Sequence, residues 1–154
     1  MLFMIEINTE YSSILNEKFG NNANIIIQDF LLWEPNIKFD IIIGNPPYNI
    51  NGNIKVPTNK INEKKSDGKT IWKIFVKKYF YLLNENGYLS LCIPAIWMKP
   101  DKENMYNLFL KKNILKIQCF DNTETNKIFS YNAQTPISCI SLSNNTVSYT
   151  HLTL

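Results

Sequence analysis

The residues with the clearest chemical potential form the run Asn45-Pro46-Pro47-Tyr48, which follows the apolar segment 39–43. Two prolines fix successive φ angles at about −65° and remove two N–H donors, and a residue before proline is held extended. The Asn45 side-chain oxygen and the Pro46 carbonyl are then placed to accept from one exocyclic amine, stabilising the charge that develops as its nitrogen attacks. Tyr48 offers a flat face for stacking a planar base. The alternative is a proline-stiffened turn with Tyr48 packed at its rim.

Acidic side chains follow two other short apolar segments. Glu6 lies near the end of segment 2–7, and Asp29 with Phe30 follows segment 25–27. An acid at the end of a buried strand is placed to accept from the hydroxyls of a ribose, as in nucleotide-binding folds. Asp29 would accept from the amino group of an adenine, and Phe30 would cover its ring. Two alternatives stay open, since Glu6 suits the start of the next helix and Asp is common in turns after strands.

The surrounding elements predict how these residues are positioned. Apolar runs predict six strands, at residues 2–7, 25–27, 39–43, 88–94, 114–120 and 137–142, and we expect 39–43 to be covered on both faces. Helical spacing predicts three helices, at residues 11–19, 70–84 and 104–112, with Asn86-Gly87 ending the second. Gly44 lets the backbone turn or approach a neighbour closely. Ligands of open α/β sheets lie at the carboxyl ends of strands, which is where the candidate residues fall.

The composition limits the classes of protein to consider. The chain has 154 residues, 45% hydrophobic and 19% charged, which suits one globular domain. No apolar run approaches the roughly 20 residues that span a bilayer, and we do not expect residues 1–5, which lack a basic flank, to be a signal peptide. Cys92, Cys119 and Cys139 lie far apart and His151 is the single histidine, so we expect neither a metal site nor a His base. These features indicate a cytoplasmic protein with three reduced, packed cysteines.

Positive charge is concentrated directly after the proline-containing run. Residues 55–78 contain eight lysines and two acids, whereas the whole chain carries a net charge of only +3. Such a segment suits contacts with a phosphate backbone, and the candidates within its polar part, residues 49–68, are Lys55, Lys60, Lys64 and Lys65. The alternative is that an Asn- and Lys-rich loop is simply solvated.

The three motifs together resemble a known family, the adenine-N6 DNA methyltransferases of restriction-modification systems, including TaqI-like enzymes. The resemblance covers roughly residues 1–145 and implies a Rossmann-like, S-adenosylmethionine-dependent α/β fold with a mixed sheet and a C-terminal antiparallel hairpin. It implies that the strand-end acids and their neighbours hold the cofactor: Glu6 the ribose, Ile7, Asp29 and Phe30 the adenine. Asn45 to Tyr48 would be catalytic, and Phe129, in the predicted loop 121–136, would contact a flipped target base. The alternative is that Phe129 packs into the base of the hairpin.

The resemblance also implies partners and a departure from the family pattern. The substrate would be double-stranded DNA with its adenine flipped out of the stack, and a cognate restriction endonuclease is a possible partner. The family's first strand and Gly-rich loop have no counterpart before Glu6, so we expect a fragment that lacks this strand and is inactive alone. Residues 146–154 fit nothing in the fold and look like a non-native tail.

Two other functions remain open from the sequence. Similar Asn-Pro-Pro-Tyr loops serve the methylation of RNA bases and of protein glutamine, so the substrate class rests on the lysine-rich segment and the hairpin. The chain is alternatively a non-catalytic module that binds nucleic acid. Measurement of S-adenosylmethionine binding separates this last class from the enzymes.

Overall fold

The computed structural model describes residues 1–50, 70–100, 102–130 and 135–147. The chain divides into two compact units, Met1–Ile37 and Lys38–Leu154. Each unit contains its own sheet: two strands in the first unit and four in the second.

The first unit is a small β-α-β arrangement. Strand β1 (Leu2–Glu6) leads into helix α1 (Tyr11–Phe19), and a short 3₁₀ turn (Gly20–Asn22) leads into strand β2 (Ala23–Ile27). The two strands pair in parallel, with Leu2 opposite Ala23 and Glu6 opposite Ile27. Their carboxyl ends therefore meet at one edge, as the sequence predicted.

The burial predicted for these first two strands is wrong. No residue of β1 or β2 is fully buried, and the one buried hydrophobic residue among the described part of this unit is Trp33, at 9% exposure. Trp33 packs near the rings of Phe3 and Phe30, with centroid distances of 6.3 and 6.5 Å. A two-stranded sheet with one helix has too little apolar surface to bury its strands completely.

The second unit is built on a mixed four-stranded sheet. Its strands are β3 (Phe39–Gly44), β4 (Leu83–Pro94), β5 (Lys112–Phe120) and β6 (Ile137–Thr146), in the order β3-β4-β6-β5. The β3–β4 pair is parallel, whereas β6 is antiparallel to both β4 and β5. The predicted antiparallel hairpin of the last two strands is therefore confirmed, with β5 at the sheet edge.

The two faces of this sheet differ in burial. One face carries apolar residues that are almost fully buried: Leu89, Leu91 and Ile93 of β4 with Ile140 and Leu142 of β6. Helix α2 (Trp72–Leu82) and helix α3 (Met105–Leu110) contribute the buried Trp72, Val76 and Phe109 to the same core. The ring of Trp97 packs on Phe109 at 4.6 Å between centroids and donates to the Ser138 hydroxyl at 2.7 Å.

We call the opposite face of the sheet the open face. The prediction that segment 39–43 is covered on both sides is wrong, because this face is exposed. Ile41 and Ile43 are 64% and 81% exposed. They pair with Tyr88 and Ser90 and so point away from Leu89 and Leu91. An apolar run suggests two-sided burial, but helix α2 packs on the other face only.

Helix α2 ends earlier than the sequence predicted. It stops at Leu82 because Leu83 is already extended and pairs with Phe39. Residues 84–87 then bulge out before Tyr88 pairs with Ile41, and the Asn84 side chain donates to Asp40 at 2.7 Å. The Asn-Gly pair thus serves a bulge within the strand, where Asn86 adopts a φ of 63°.

The connection between β5 and β6, predicted to be a loop, contains a helix. Helix α4 (Asn122–Ile128) begins with a capping box, in which Glu124 N–H donates to Asp121 at 2.8 Å and Asp121 N–H donates to Glu124 at 3.0 Å. The spacing Asp-x-x-Glu was the signal for this helix.

Two further observations concern membrane spans and the end of the chain. No helix in the described ranges is long and apolar enough to cross a membrane. Strand β6 runs through Thr146, and the Val147 N–H donates to the Lys111 carbonyl at 3.0 Å. Residues 148–154, most of the segment predicted to be non-native, lie outside the described residues.

Candidate active site

The acidic edge of the first unit begins with Glu6, the last residue of β1. One Glu6 carboxylate oxygen accepts from the Asn8 N–H at 2.7 Å, which closes a local turn before helix α1. The residue at the N-cap of α1 is Glu10, so Glu6 does not cap this helix. The second Glu6 oxygen accepts no hydrogen bond from the part of the chain that the structure describes. Next to it, Ile7 is 67% exposed.

Asp29 completes this edge two residues beyond β2. One Asp29 oxygen accepts from the Leu31 N–H at 2.8 Å, and its carbonyl accepts from Leu32 and Trp33, both at 3.0 Å. These bonds fix a turn that holds the carboxylate at the strand end. The register of β1 with β2, extended by the 2.9 Å bond from Gln28 N–H to the Glu6 carbonyl, brings Glu6 and Asp29 to the same edge.

This edge offers acceptors for the hydrogen-bond donors of a nucleoside. Both carboxylates are half-buried, and each uses one oxygen in a local turn. The remaining oxygens are acceptors suited to ribose hydroxyls and to an adenine amino group. Ile7 and the half-buried Phe30 are apolar neighbours that suit the faces of a planar ring. The structure therefore brings Glu6 and Asp29 to one edge, with acceptor oxygens that suit an adenosyl group, and the cofactor role of these residues stays a prediction.

The proline-containing run of the second unit follows β3. Asn45 is exposed, Pro46 is buried and Pro47 is exposed. The Asn45 side chain makes no hydrogen bond with the described residues, so its amide is presented outward rather than used in a structural turn. A buried proline beside an outward amide is the arrangement expected of a rigid acceptor site.

Gly44 explains how the preceding strand is held. A Cβ at this position would lie 2.8 Å from the Tyr79 hydroxyl oxygen and 3.2 Å from Leu91 Cδ2. Gly44 is therefore required for close approach, as predicted, and its φ is not in the positive range. Tyr79 is almost fully buried, and burial raises its pKa to about 12. Sequence reasoning missed Tyr79 because its partner lies 35 positions away and leaves no local signal.

Tyr48 combines features of both interpretations drawn from the sequence. Its hydroxyl lies 3.7 Å from Cys92 Sγ on β4, and its ring is half-buried, so part of it packs against the sheet. Burial, followed by the contact with Cys92, raises the pKa of the Tyr48 hydroxyl, which stays protonated at neutral pH. The Tyr48 carbonyl accepts from the Ile71 N–H at 3.0 Å.

The remaining predicted residues fall at or beyond the limits of the described chain. Asn49, next to Tyr48 in sequence, forms an antiparallel bridge with Thr70. The lysines predicted to contact a phosphate backbone, Lys55, Lys60, Lys64 and Lys65, lie outside the described residues. Phe129 is the half-buried C-cap of α4, where its N–H donates to the Thr125 carbonyl at 3.0 Å.

Two predictions about sulfur and metal chemistry are also addressed by the structure. Cys119 is exposed, so the expectation of three packed cysteines is wrong at this position, which lies on the edge strand β5. Within the described residues, no group of three or more His, Cys, Asp or Glu side chains is arranged to hold a metal ion.

Comparison with known proteins gives relatives that are described as methyltransferases or methylases. The type II methyltransferase M.TthHB8I of Thermus thermophilus is 38% identical over 101 residues, 58% of this chain and 24% of that protein. An uncharacterized adenine-specific methylase of Mycoplasma pneumoniae is 42% identical over 82 residues, 50% of this chain and 17% of that protein. The ribosomal RNA small subunit methyltransferase A of Borreliella afzelii is 34% identical over 97 residues, 60% of this chain and 34% of that protein. The chain thus spans about a third or less of these relatives.

Solved structures agree on the fold. A type I restriction-modification methyltransferase subunit from Streptococcus thermophilus matches with a TM-score of 0.59 and 21% identity, over 94% of this chain and 34% of that chain. The N-methyltransferase NodS of Bradyrhizobium japonicum, solved with S-adenosyl-L-homocysteine, matches with a TM-score of 0.55 and 10% identity, over 93% of this chain and 66% of that chain. The predicted fold, Rossmann-like and shared with S-adenosylmethionine-dependent methyltransferases, is confirmed.

A family model supplies the final comparison. The model described as Eco57I restriction-modification methylase matches residues 4–129, which is most of the chain. The predicted resemblance to restriction-modification methylases is therefore confirmed, and the protein belongs to the Eco57I restriction-modification methylase family.

Proposed function

We propose that this chain is part of a DNA methyltransferase that transfers a methyl group from S-adenosylmethionine to adenine N6. The observation that carries the proposal is the outward Asn45 amide beside the buried Pro46 at the end of β3. Membership of the restriction-modification methylase family supports DNA as the substrate class. The adenine-specific methylase among the relatives supports adenine as the base.

In this proposal, the acidic edge of the first unit binds the cofactor. Glu6 accepts from the ribose hydroxyls and Asp29 from the adenine amino group, while Ile7 and Phe30 contact the ring. Their local hydrogen bonds hold both carboxylates in place before the cofactor arrives, which lowers the entropy lost on binding. S-adenosylmethionine, when bound, supplies an electrophilic methyl group.

The proline-containing run of the second unit binds the target base. The Asn45 side-chain oxygen and the Pro46 carbonyl accept the two N–H groups of adenine N6, which moves the nitrogen lone pair out of conjugation with the ring. Both acceptors also stabilise the positive charge on the nitrogen during transfer. The methylated nitrogen then releases one proton to solvent and becomes a neutral secondary amine. Tyr48 stacks on the flipped base, and Phe129 is a second candidate for contact with it.

The lysine-bearing segment is proposed to contact the DNA backbone. Its two flanking residues, Asn49 and Thr70, pair beside Tyr48. Phosphate contacts from Lys55, Lys60, Lys64 and Lys65 would place the duplex next to the base-binding loop and make affinity depend on salt. A restriction endonuclease that cleaves the same site is the partner expected for an enzyme of this family.

Methyl transfer to defined nucleic acids tests the proposal. The full-length protein that contains this chain is incubated with radiolabelled S-adenosylmethionine and unmethylated genomic DNA, and the DNA is digested to nucleosides for mass spectrometry. We expect N6-methyldeoxyadenosine. Label in deoxycytidine would refute the choice of base, and absence of transfer in a protein that binds the cofactor would refute the enzyme function.

A second candidate function is methylation of an RNA base. It is favoured by one observation, the 34% identity with a ribosomal RNA small subunit methyltransferase over 97 residues. Parallel assays with ribosomal RNA and with DNA of equal nucleotide concentration distinguish the two. A release-factor-like protein substrate, assayed in the same way, tests the remaining glutamine alternative.

A further inference from the structure

Two cysteines lie opposite each other on the open face of the four-stranded sheet. Cys92 of β4 pairs directly with Cys139 of β6 in the antiparallel register. Directly opposed residues in such a pair have Cα atoms about 4.5 or 5.5 Å apart, and their side chains point to the same face. Disulfides form at Cα separations of about 4.4–6.8 Å, so this register permits one without moving the strands.

The pair of cysteines lies against the proline-containing run. Burial, followed by the neighbouring Cys92 thiol, raises the pKa of the Cys139 thiol. The Tyr48 hydroxyl contacts Cys92, at 3.7 Å from its Sγ. A change in the bonding of Cys92 therefore reaches Tyr48 directly.

The pair is accessible from solvent. Both cysteines are half-buried. Their neighbours on the open face are small hydroxyl residues, Ser90 and Ser141, whose side-chain oxygens lie 3.1 Å apart. Ile43, on the neighbouring strand of the same face, is 81% exposed. A small oxidant thus reaches the sulfur atoms without unfolding of the sheet.

We propose that Cys92 and Cys139 are a dithiol–disulfide modification site, oxidised by hydrogen peroxide, whose state sets the position of Tyr48. Formation of the disulfide does not depend on the proposed methyl transfer. Any change in methyl-transfer rate on oxidation would act through Tyr48 and therefore rests on the proposed function. Oxidation turns Cys92 Sγ toward Cys139 and removes the S–H group that Tyr48 contacts.

The chemistry is a two-electron oxidation in two steps. One thiolate attacks a peroxide oxygen, the O–O bond breaks, and a sulfenic acid forms as hydroxide leaves. The second sulfur attacks the first, the S–S bond forms, and the S–O bond breaks with loss of a second hydroxide. The two hydroxides take up the two protons released by the thiols. Two thiols and one hydrogen peroxide give one disulfide and two water molecules.

The third cysteine provides the control. Gln118, not Cys119, lies opposite Cys139 on strand β5, so the Cys119 side chain points to the other face and cannot pair with Cys139. Cys119 is exposed, whereas burial raises the pKa of the Cys139 thiol and slows its reaction. The Cys119→Ser variant removes this competing thiol and leaves the pair intact.

The test uses the Cys119→Ser chain, treated with hydrogen peroxide under conditions in which circular dichroism shows the native fold. We expect an intact-mass loss of two hydrogen atoms, a Cys92–Cys139 cross-linked peptide after digestion, and loss of both thiols to alkylation. Dithiothreitol should restore both. The further variants Cys92→Ser and Cys139→Ser should each show no such loss and instead acquire oxygen.

Two results would overturn the proposal. If both thiols of the Cys119→Ser chain gain oxygen separately, or if the cross-link appears only in urea, the native pair is not a disulfide site. The near-ultraviolet circular dichroism of Tyr48, taken as the difference from Tyr48→Phe, should change on oxidation. An unchanged difference spectrum would show that the oxidation state of the two cysteines does not set the position of Tyr48.

Discussion

The two units present different chemistry at corresponding places, the carboxyl ends of a parallel strand pair. The edge of β1 and β2 carries two carboxylates, Glu6 and Asp29, and rests on a unit with one buried hydrophobic residue among its described positions. The edge of β3 carries neutral acceptors and rests on the densely buried core beneath β4. The carboxylates at the edge of β1 and β2 suit the hydroxyl and amine donors of a bound ligand in its ground state. A nitrogen that gains positive charge only during reaction needs acceptors held rigidly in place, as at the edge of β3.

Among the changes that test this comparison, removal of the amide at Asn45 should have the largest effect, on the rate of methyl transfer. Asn45→Ala deletes one of two proposed acceptors, and losses of about 10²–10³-fold in kcat are typical for a group of this kind. Because Asn45 is exposed, the free energy of unfolding should change by less than about 0.5 kcal/mol. Single-turnover methyl transfer by the full-length protein that contains this chain, and urea unfolding of the same protein, measure the two quantities.

The matched control for Asn45 is Asn145→Ala, an exposed asparagine on β6. It should leave both quantities unchanged. Equal activity in Asn45→Ala and Asn145→Ala would show that the neutral edge is not the catalytic one.

A methyl group at Gly44 should break the support of the neutral edge. Gly44→Ala places Cβ within 2.8 Å of the Tyr79 hydroxyl and 2.9 Å of its ring carbon, and Tyr79 is buried and has little room to move. Overpacking of this kind costs about 1–3 kcal/mol, which urea unfolding should detect. The double variant Gly44→Ala with Tyr79→Phe removes the closest atom and should recover part of the loss.

The same support should be visible in the pH dependence of stability. The unfolded chain loses the Tyr79 proton near pH 10.0, whereas burial delays this to about pH 12 in the folded protein. The unfolded state therefore binds fewer protons in this interval, and the free energy of unfolding falls as pH rises, by at most about 1.4 kcal/mol per unit. Unfolding curves from pH 9 to 11.5 should be flatter for Tyr79→Phe than for the exposed control Tyr81→Phe. Identical slopes would contradict this.

The smallest effect should come from making the acidic edge resemble the neutral one. Asp29→Asn keeps an oxygen for the Leu31 N–H but removes the charge and one acceptor, so S-adenosylmethionine should bind about tenfold more weakly. Calorimetry on the full-length protein that contains this chain, carrying either Asp29→Asn or Glu17→Ala, measures this; Glu17 is an exposed acid of α1. Equal affinity in these two variants would argue against a cofactor role for this edge.

The sequence predicted the elements better than it predicted their environment. Strand-end positions of Glu6, Asp29 and Asn45 follow from local patterns of apolar and turn residues, and these patterns hold in the structure. The exposure of Ile41 and Ile43 does not, because an apolar run does not reveal which face a helix will cover. The contacts of Gly44 with Tyr79 and of Tyr48 with Cys92 depend on long-range pairing, for which adjacent residues give no signal.

The placement of β6 has a consequence for how the protein is made. Among the described strands, β6 is the last in sequence order, yet it lies between β4 and β5, and β5 pairs with β6 alone. A ribosome therefore completes β5 before its pairing partner exists. The sheet closes only after residues 137–146 leave the exit tunnel, and until then the inner edge of β4 is open to capture by chaperones or by other nascent chains.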